Sequence, residues 1–184
     1  AFLEALACVN DADARTLETK VIALSAEYCS AFEDIRPSGN GFTLDLKYFH
    51  EDGSPLADGD TLEIGEKIRA EYHIWNGEIR SFVRLNVPRP ASLTPVRQLS
   101  GLYSWYGNPL GANRSVRVVP QGYRSVGADC TQYWFDTYPE ENTVIQEEFF
   151  VSQSGRYHSP VPQIESLYAS HYRANGESQP LESR

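Results

Sequence analysis

FTLDLKYF, residues Phe42 to Phe49, decides the fold. Phe42, Leu44, Leu46 and Tyr48 alternate with Thr43, Asp45 and Lys47. A period of two places one set on each side of a strand and predicts a half-buried β-strand. The next stretch, EDGSPLADGD, is turn chemistry, with Asp-Gly twice and a Pro between. KIRAEYHIW then repeats the alternation, with Ile68, Ala70, Tyr72 and Ile74 against Arg69, Glu71 and His73. Asn76-Gly77 reads as a hairpin signal into a strand where Val83, Leu85 and Val87 alternate with Arg84 and Asn86.

Beyond that strand Pro88, Pro90 and Pro95 break regular pairing. SGLYSWYGNPLG, residues 100–111, reads as a long aromatic loop. Further strands are expected at Val116 to Val119, Thr131 to Tyr138, Asn142 to Val151 and near Val161 to Tyr168. PEEN, joining two of them, suggests another hairpin. Turn signals rather than helices join about seven short strands, which predicts an all-β antiparallel sandwich.

Outside this pattern the chain changes character. FLEALA at the start is helix-like, and VIALSAEYCSAF, Val21 to Phe32, fits a strand or a helix. EDIRPSGNG is a loop, with a domain boundary expected near Pro37 to Gly41. Residues 1–40 thus read as a flanking segment, 41–172 as the sandwich, and 173–184 as a polar tail, disordered or a linker.

The chain has 184 residues with a net charge of −9. That charge argues against nucleic acid and anionic membrane as partners. No apolar run is long enough to span a membrane, and no signal peptide opens the chain. There is no Met, which fits a processed chain or a piece of a longer protein. Cys8, Cys29 and Cys130 are too few and too widely spaced for a disulfide framework or a zinc site. They read as buried free thiols, with one bridge at most.

Chemistry-bearing patterns are scarce. No GxSxG elbow exists, and Ser100 in QLSGL lacks its first glycine. His50, His73, His158 and His171 show no metal-ligand spacing, so no metal and no cofactor are expected. Glu140-Glu141 lies in a turn. Glu147 and Glu148 are strand neighbours pointing to opposite faces, and both read as solvated. SGNG and GNPLG are turns rather than phosphate cradles. Asn113-Arg114-Ser115 fits a glycosylation pattern that chance often supplies. Tyr103, Trp105 and Tyr106, with Trp134, form either a binding platform for sugar or protein or a cap on the sandwich core.

Three segments carry a resemblance. NVPRPASLTPVRQLSGLYSW resembles a segment of bacterial, Bacteroidetes-type α2-macroglobulins, with Pro90, Ala91, Gln98, Leu99, Ser100 and Gly101 at the matching places. CTQYWFDTYPEENTVIQEEFFVSQSGRYH resembles the closing stretch of that family, with Asp136, Gly155 and later Tyr168 at matching places. EYCSAFEDIRPSGNGFTLDLKYF is similar to the join between its CUB-like domain and its last macroglobulin-like domain, MG10, and this favours a strand at Val21 to Phe32.

The resemblance implies a non-catalytic domain at the C-terminal end of a protease-trapping parent. The expected partners are the parent's other domains, with proteases as targets of the whole protein. The expected place is the periplasm or cell surface, with a membrane-anchored lipoprotein parent as one option. The thioester motif Cys-x-Glu-Gln is absent, since the cysteines lie in ACVND, YCSAF and DCTQY. In the family this domain shields the thioester from water, and the resemblance puts Tyr168 in that role. The alternatives are that Tyr168 is a core residue ending the last strand, or that the chain is a stand-alone binding module working through residues 103–106.

Overall fold

The computed structural model describes residues 31–103 and 121–184. A single 3-10 turn, Phe32–Asp34, opens this part. Fourteen strands follow among the described residues. In chain order they are β1 (Ser38–Asn40), β2 (Phe42–His50), β3 (Thr61–Leu62), β4 (Lys67–Asn76), β5 (Arg80–Pro88), β6 (Leu93–Pro95) and β7 (Gly101–Tyr103). β8 (Gly122–Val126), β9 (Cys130–Tyr138), β10 (Asn142–Val151), β11 (Gly155–His158), β12 (Gln163–Ser166), β13 (Arg173–Asn175) and β14 (Pro180–Ser183) complete the set.

Two sheets form the sandwich. One has the order β1-β13-β12-β5-β9-β8-β7 and the other β2-β4-β10-β6. A third, small sheet has the order β11-β14-β3. The alternation predicted for β2, β4 and β5 is present: Phe42, Leu44, Leu46, Tyr48, Ile68, Ala70, Tyr72, Ile74, Val83, Leu85 and Val87 are all buried. They meet Tyr133, Phe135 and Tyr138 of β9 and Ile145 and Phe149 of β10 in one core. Phe42 and Tyr138 touch edge to face across the sheets at 6.1 Å.

Both predicted hairpins are corrected. β4 pairs with β2 and β10, while β5 pairs with β9 and β12. The Asn76-Gly77 turn therefore carries the chain from one sheet to the other. The PEEN turn does the same between β9 and β10. Turn residues fix a reversal but not the ladder the strand joins, and a sandwich uses the same reversals to cross between layers. Asn76 shows why this corner is sharp. Its side chain is fully buried. Its Nδ2 donates to the Glu78 carbonyl and, at 2.9 Å, to that of Pro139, so it bolts the two crossovers together.

The tail is also corrected. Residues 173–184 supply β13, which pairs with β1 and β12, and β14, which pairs with β11 and β3. Ala174 and Leu181 are buried in the core. The Gln179 main chain is held at both ends by Ser159, at 2.8 Å in each case. Polar composition concealed a segment fixed by main-chain pairing. Likewise Ser38–Asn40, expected as a turn, is an edge strand, so the ladder begins before residue 41. Pro88 and Pro95 also lie within paired strands, β5 and β6. The helical or strand reading of residues 1–30 and the strand at 116–119 lie outside the described residues.

Candidate functional site

The residues singled out in the sequence part company in space. Tyr103 ends β7, while Trp105, Tyr106 and the 113–115 pattern lie outside the described residues. Gln98 and Leu99 are exposed just before β7. Ser100 has a definite job, because its hydroxyl accepts the Val126 amide at 2.9 Å and pins this segment onto β8. Pro90 is buried, and Asp136 is exposed on β9. Gly155 opens β11 with φ of 144°, a conformation open to glycine and strained for a side chain. Its ideal Cβ direction also points into the Tyr157 ring.

Tyr168 lies elsewhere, on the turn of residues 167–172 between β12 and β13. It is 83% exposed and lies beyond the end of β12 at Ser166, so it is not a core residue. The turn is tied to itself by Ser166 N–H to the Tyr172 carbonyl at 3.0 Å and Tyr172 N–H to that of Ala169 at 2.8 Å. It is tied to β5 by Leu167 N–H to the Phe82 carbonyl at 2.9 Å. The Ser166 hydroxyl adds a bond to the Ser81 carbonyl at 3.2 Å.

Phe82 supports Tyr168 from the side. Their rings meet edge to face at 5.0 Å and 89°. Phe82 has φ of 53°, the one non-glycine residue in the left-handed region among those described. For an aromatic residue that costs on the order of 1–3 kcal/mol and persists only where neighbours impose it. The kink lets β5 slip phase. Arg80, Val83, Leu85 and Val87 face inward, while Ser81 and Phe82 both face out. β9 slips with it, leaving Asp136 and Thr137 both exposed. The result is an outward patch of Phe82, Leu167 and Tyr168.

A buried clamp holds the base of this patch. The Arg80 guanidinium lies 3.6 Å from the Tyr172 ring centre and 5.4 Å from that of Phe42. Its Nε donates to Asn76 Oδ1 at 3.0 Å. Gly41, with φ of 76°, leaves room for this stack, since a Cβ there would meet Arg80 at 2.6 Å and Tyr172 at 2.8 Å.

A second polar group lies inside the sandwich. Glu147, read from the sequence as solvated, is buried at 4% exposure. Its Oε1 pairs with Arg124 of the facing sheet and accepts the Thr131 hydroxyl at 2.8 Å. Arg89 donates to Thr131 Oγ1 at 2.7 Å and to the Gly127 and Ala128 carbonyls. Arg124 also reaches the Leu99 carbonyl at 3.3 Å. So the Gln98–Gly101 run is fastened to β8 and, through it, to the opposite sheet. Burial first, and the Glu147 charge with it, push the Tyr48 and Tyr72 phenols well above their usual range.

Nothing in this set is arranged for nucleophilic or metal chemistry. Among the described residues no three of His, Cys, Asp and Glu gather to hold a metal. Cys130 is a free, partly buried thiol, and burial and the neighbouring Asp129 raise its pKa away from thiolate chemistry.

His50 is the titrating group with structural weight. Its Nδ1 meets Glu66 Oε1 at 2.7 Å, and its Nε2 is 3.6 Å from Asp60. The Glu66 hydrogen bond is the main cause of its raised pKa, with partial burial opposing and Asp60 adding to the rise. A raised pKa means the folded chain binds the proton more tightly than the unfolded chain. This stabilisation is complete below the unfolded His value, near about 6.5, and is lost as pH rises through the higher folded value. Urea midpoints taken across that range should fall with rising pH, and His50→Gln should flatten the trend. An unchanged slope in that variant would assign the pH dependence elsewhere.

Comparison with known proteins adds the following. The family model described as "Bacterial Alpha-2-macroglobulin MG10 domain" matches residues 41–170. A Salmonella alpha-2-macroglobulin carrying a Tyr-to-Gly mutation superposes with TM-score 0.66 at 18% identity, over 81% of this chain and 10% of that one. Alpha-2-macroglobulin from Escherichia coli activated by porcine elastase gives TM-score 0.67 at 17% identity, over 82% and 14%. Its native conformation, seen by cryo-EM, gives 0.64 at 16%, over 80% and 10%. The chain thus spans between about a tenth and a seventh of the length of these chains. No curated protein matches at a significant level.

Proposed function

This chain belongs to the family of bacterial alpha-2-macroglobulin MG10 domains, and on that premise we propose that it is a non-catalytic domain of a protease-trapping parent whose Tyr168 turn packs against the thioester region. The observation that carries this reading is the exposed Phe82–Leu167–Tyr168 patch, with Tyr168 83% exposed and held edge-on by a strained Phe82. An aromatic ring held rigidly in water is poised to bury its face elsewhere, at about 1.5–3 kcal/mol for a fully buried large side chain. Laid over a reactive acyl group, such a ring keeps water out, and its hydroxyl can hydrogen-bond at the rim. The Arg80–Tyr172 stack fixes the turn, so the ring is preorganised rather than ordered on contact.

On this reading the partners are the parent's other domains, and proteases are targets of the whole protein. The parent works outside the cytoplasm, in the periplasm or at the cell surface, and its type is that of the Bacteroidetes proteins. The chain carries no thioester of its own, because none of its cysteines lies in Cys-x-Glu-Gln.

The test uses the parent protein. Tyr168→Ala is expected to leave the thermal midpoint within about 1 °C, as for other surface changes. It should raise the rate of methylamine attack on the thioester on the order of tenfold, about 1.4 kcal/mol of lost protection. Amide exchange in residues 167–172 should be slower in the parent than in the isolated chain. Equal exchange in both, with an unchanged methylamine rate, would sink the proposal.

A further inference from the structure

The outer face of the seven-stranded sheet carries two adjacent rows of side chains set by strand register. One row reads Leu102, Tyr123, Trp134, Arg84, Glu165, Arg173, Asn40 across β7, β8, β9, β5, β12, β13 and β1. The row beside it reads Ser125, Gln132, Asn86, Gln163, Asn175, Ser38. The second row is built of amides and hydroxyls throughout. Asn is depleted from strands because it gains little from packing there. Two Asn and two Gln in one row are not what strand formation alone would select.

Where the rows cross β5, β12 and β13, a cavity of about 200 Å³ opens, lined by Arg84, Asn86, Gln163, Glu165, Arg173 and Asn175 with Ser38 at its edge. A more open hollow past Arg173 adjoins it, with His171 and Asn40 on its wall. In a chain of net charge −9, this spot has two guanidiniums facing one carboxylate. Arg84 is taken by Glu165 and leans over Trp134 at 5.5 Å. Arg173 lies opposite Glu165 in register. Among the described residues it has no ion pair and no side-chain hydrogen bond. Asn175 is oriented by bonds from its Nδ2 to the Arg36 and Gly176 carbonyls and from the Ser38 hydroxyl to its Oδ1. Gln132 donates to the Asn86 oxygen at 3.3 Å, and the Asn86 amine makes no bond among the described residues.

We infer that this cavity is a binding site for an acidic saccharide, a single sugar ring bearing a carboxylate or phosphate, with Arg173 receiving the acid group. The chemistry of the walls selects the class. Ile164 and Ala174 turn their side chains into the core, so the cavity's lining is mostly polar, which suits a lipid chain or a hydrophobic peptide side chain poorly. The Asn86 amine and the Gln163 amide, which make no bond among the described residues, offer donors and an acceptor of the kind ring hydroxyls need. A free guanidinium takes an anionic oxygen pair in fork geometry. The cavity is smaller than the roughly 300–1,000 Å³ of drug-sized sites, which suits one ring rather than a buried chain. None of the proposed contacts is Phe82, Leu167 or Tyr168, so this site stands or falls apart from the shielding role.

The test is an NMR titration of the full 184-residue chain with glucuronate, glucose 6-phosphate, glucose and a short Asp/Glu-rich peptide. Saturable shifts in β5, β12 and β13 amides are expected with one or both acidic sugars, at a Kd on the order of 1 mM, with glucose much weaker. The two acidic sugars tell carboxylate from phosphate. Arg173→Ala should weaken binding at least tenfold and Arg173→Lys less. Glu165→Gln should tighten it a few-fold by removing the competing carboxylate. Arg156→Ala, on an exposed arginine of β11, should change nothing. No saturable shift, an Arg173→Ala variant that binds as well as the parent sequence, or tighter binding of the acidic peptide than of either sugar would each overturn the assignment.

Discussion

Glu147→Ala lowers the free energy of unfolding by about 3–5 kcal/mol, the cost of breaking a buried pair from one side. Domains of this kind hold only about 5–15 kcal/mol in all. The Glu147 carboxylate meets Arg124 of the other sheet and the Thr131 hydroxyl, and all three residues are buried. Removing it leaves the Arg124 guanidinium in the core with no carboxylate, held by the Leu99 carbonyl at 3.3 Å and the Tyr133 hydroxyl alone. It also leaves Thr131 with a hydroxyl proton and no acceptor while Arg89 still donates to its oxygen. The pair itself contributes little, because taking two ions out of water costs about what their attraction returns. The double variant Arg124→Leu with Glu147→Leu should therefore recover at least about 2 kcal/mol of the single variant's loss. Urea unfolding with an unchanged m-value reports both. A loss under about 1 kcal/mol in Glu147→Ala would show that water reaches the pair.

The strands of this molecule were readable where burial repeats with period two. Phe42 to Tyr48, Ile68 to Ile74 and Val83 to Val87 each write the inward face of the sandwich directly into the chain. The same signal marks Glu147, which shares the inward parity of Thr143, Ile145, Phe149 and Val151. Its burial is not legible locally, because its partners Arg124 and Thr131 lie on strands that only the fold brings opposite. Phe82 left a weaker trace, an apolar residue beside Val83 that breaks the alternation. What stayed hidden depends on register. Asn86, Gln163 and Asn175 are far apart in sequence and form a row only once β5, β12 and β13 are aligned. The turns at Asn76-Gly77 and PEEN look like hairpins in the sequence because local chemistry encodes reversal and leaves the choice of sheet to core packing. β13 and β14 leave no trace in composition because pairing through the main chain leaves the side chains free to be polar. Resemblance points to Tyr168, and the fold adds its exposure and its contact with Phe82.

Asn76→Ala costs on the order of 3 kcal/mol or more, and it does so at the junction that serves both the fold and the Tyr168 turn. The side chain is fully buried and fully used. Nδ2 donates to the Glu78 and Pro139 carbonyls, and Oδ1 accepts from Arg80 Nε. Truncation leaves these three partner groups short of a bond beside the core, each worth about 1–3 kcal/mol when stranded. Asn76→Asp separates the two halves of the role. It keeps the acceptor for Arg80 and brings a carboxylate against two carbonyl oxygens, so the crossovers lose their bolt while the guanidinium keeps its partner. If the crossovers dominate, Asp is as damaging as Ala. If the Arg80 stack on Tyr172 dominates, Asp retains most of the stability and most of the amide protection in residues 167–172. Arg80→Lys is the complementary change. It keeps charge and loses the planar face that lies 3.6 Å from the Tyr172 ring, so protection of the 167–172 amides should fall further than global stability does. Equal losses of turn protection and global stability in that variant would mean that the turn opens only when the whole sandwich does, and that the clamp is part of the core rather than a separate brace for Tyr168.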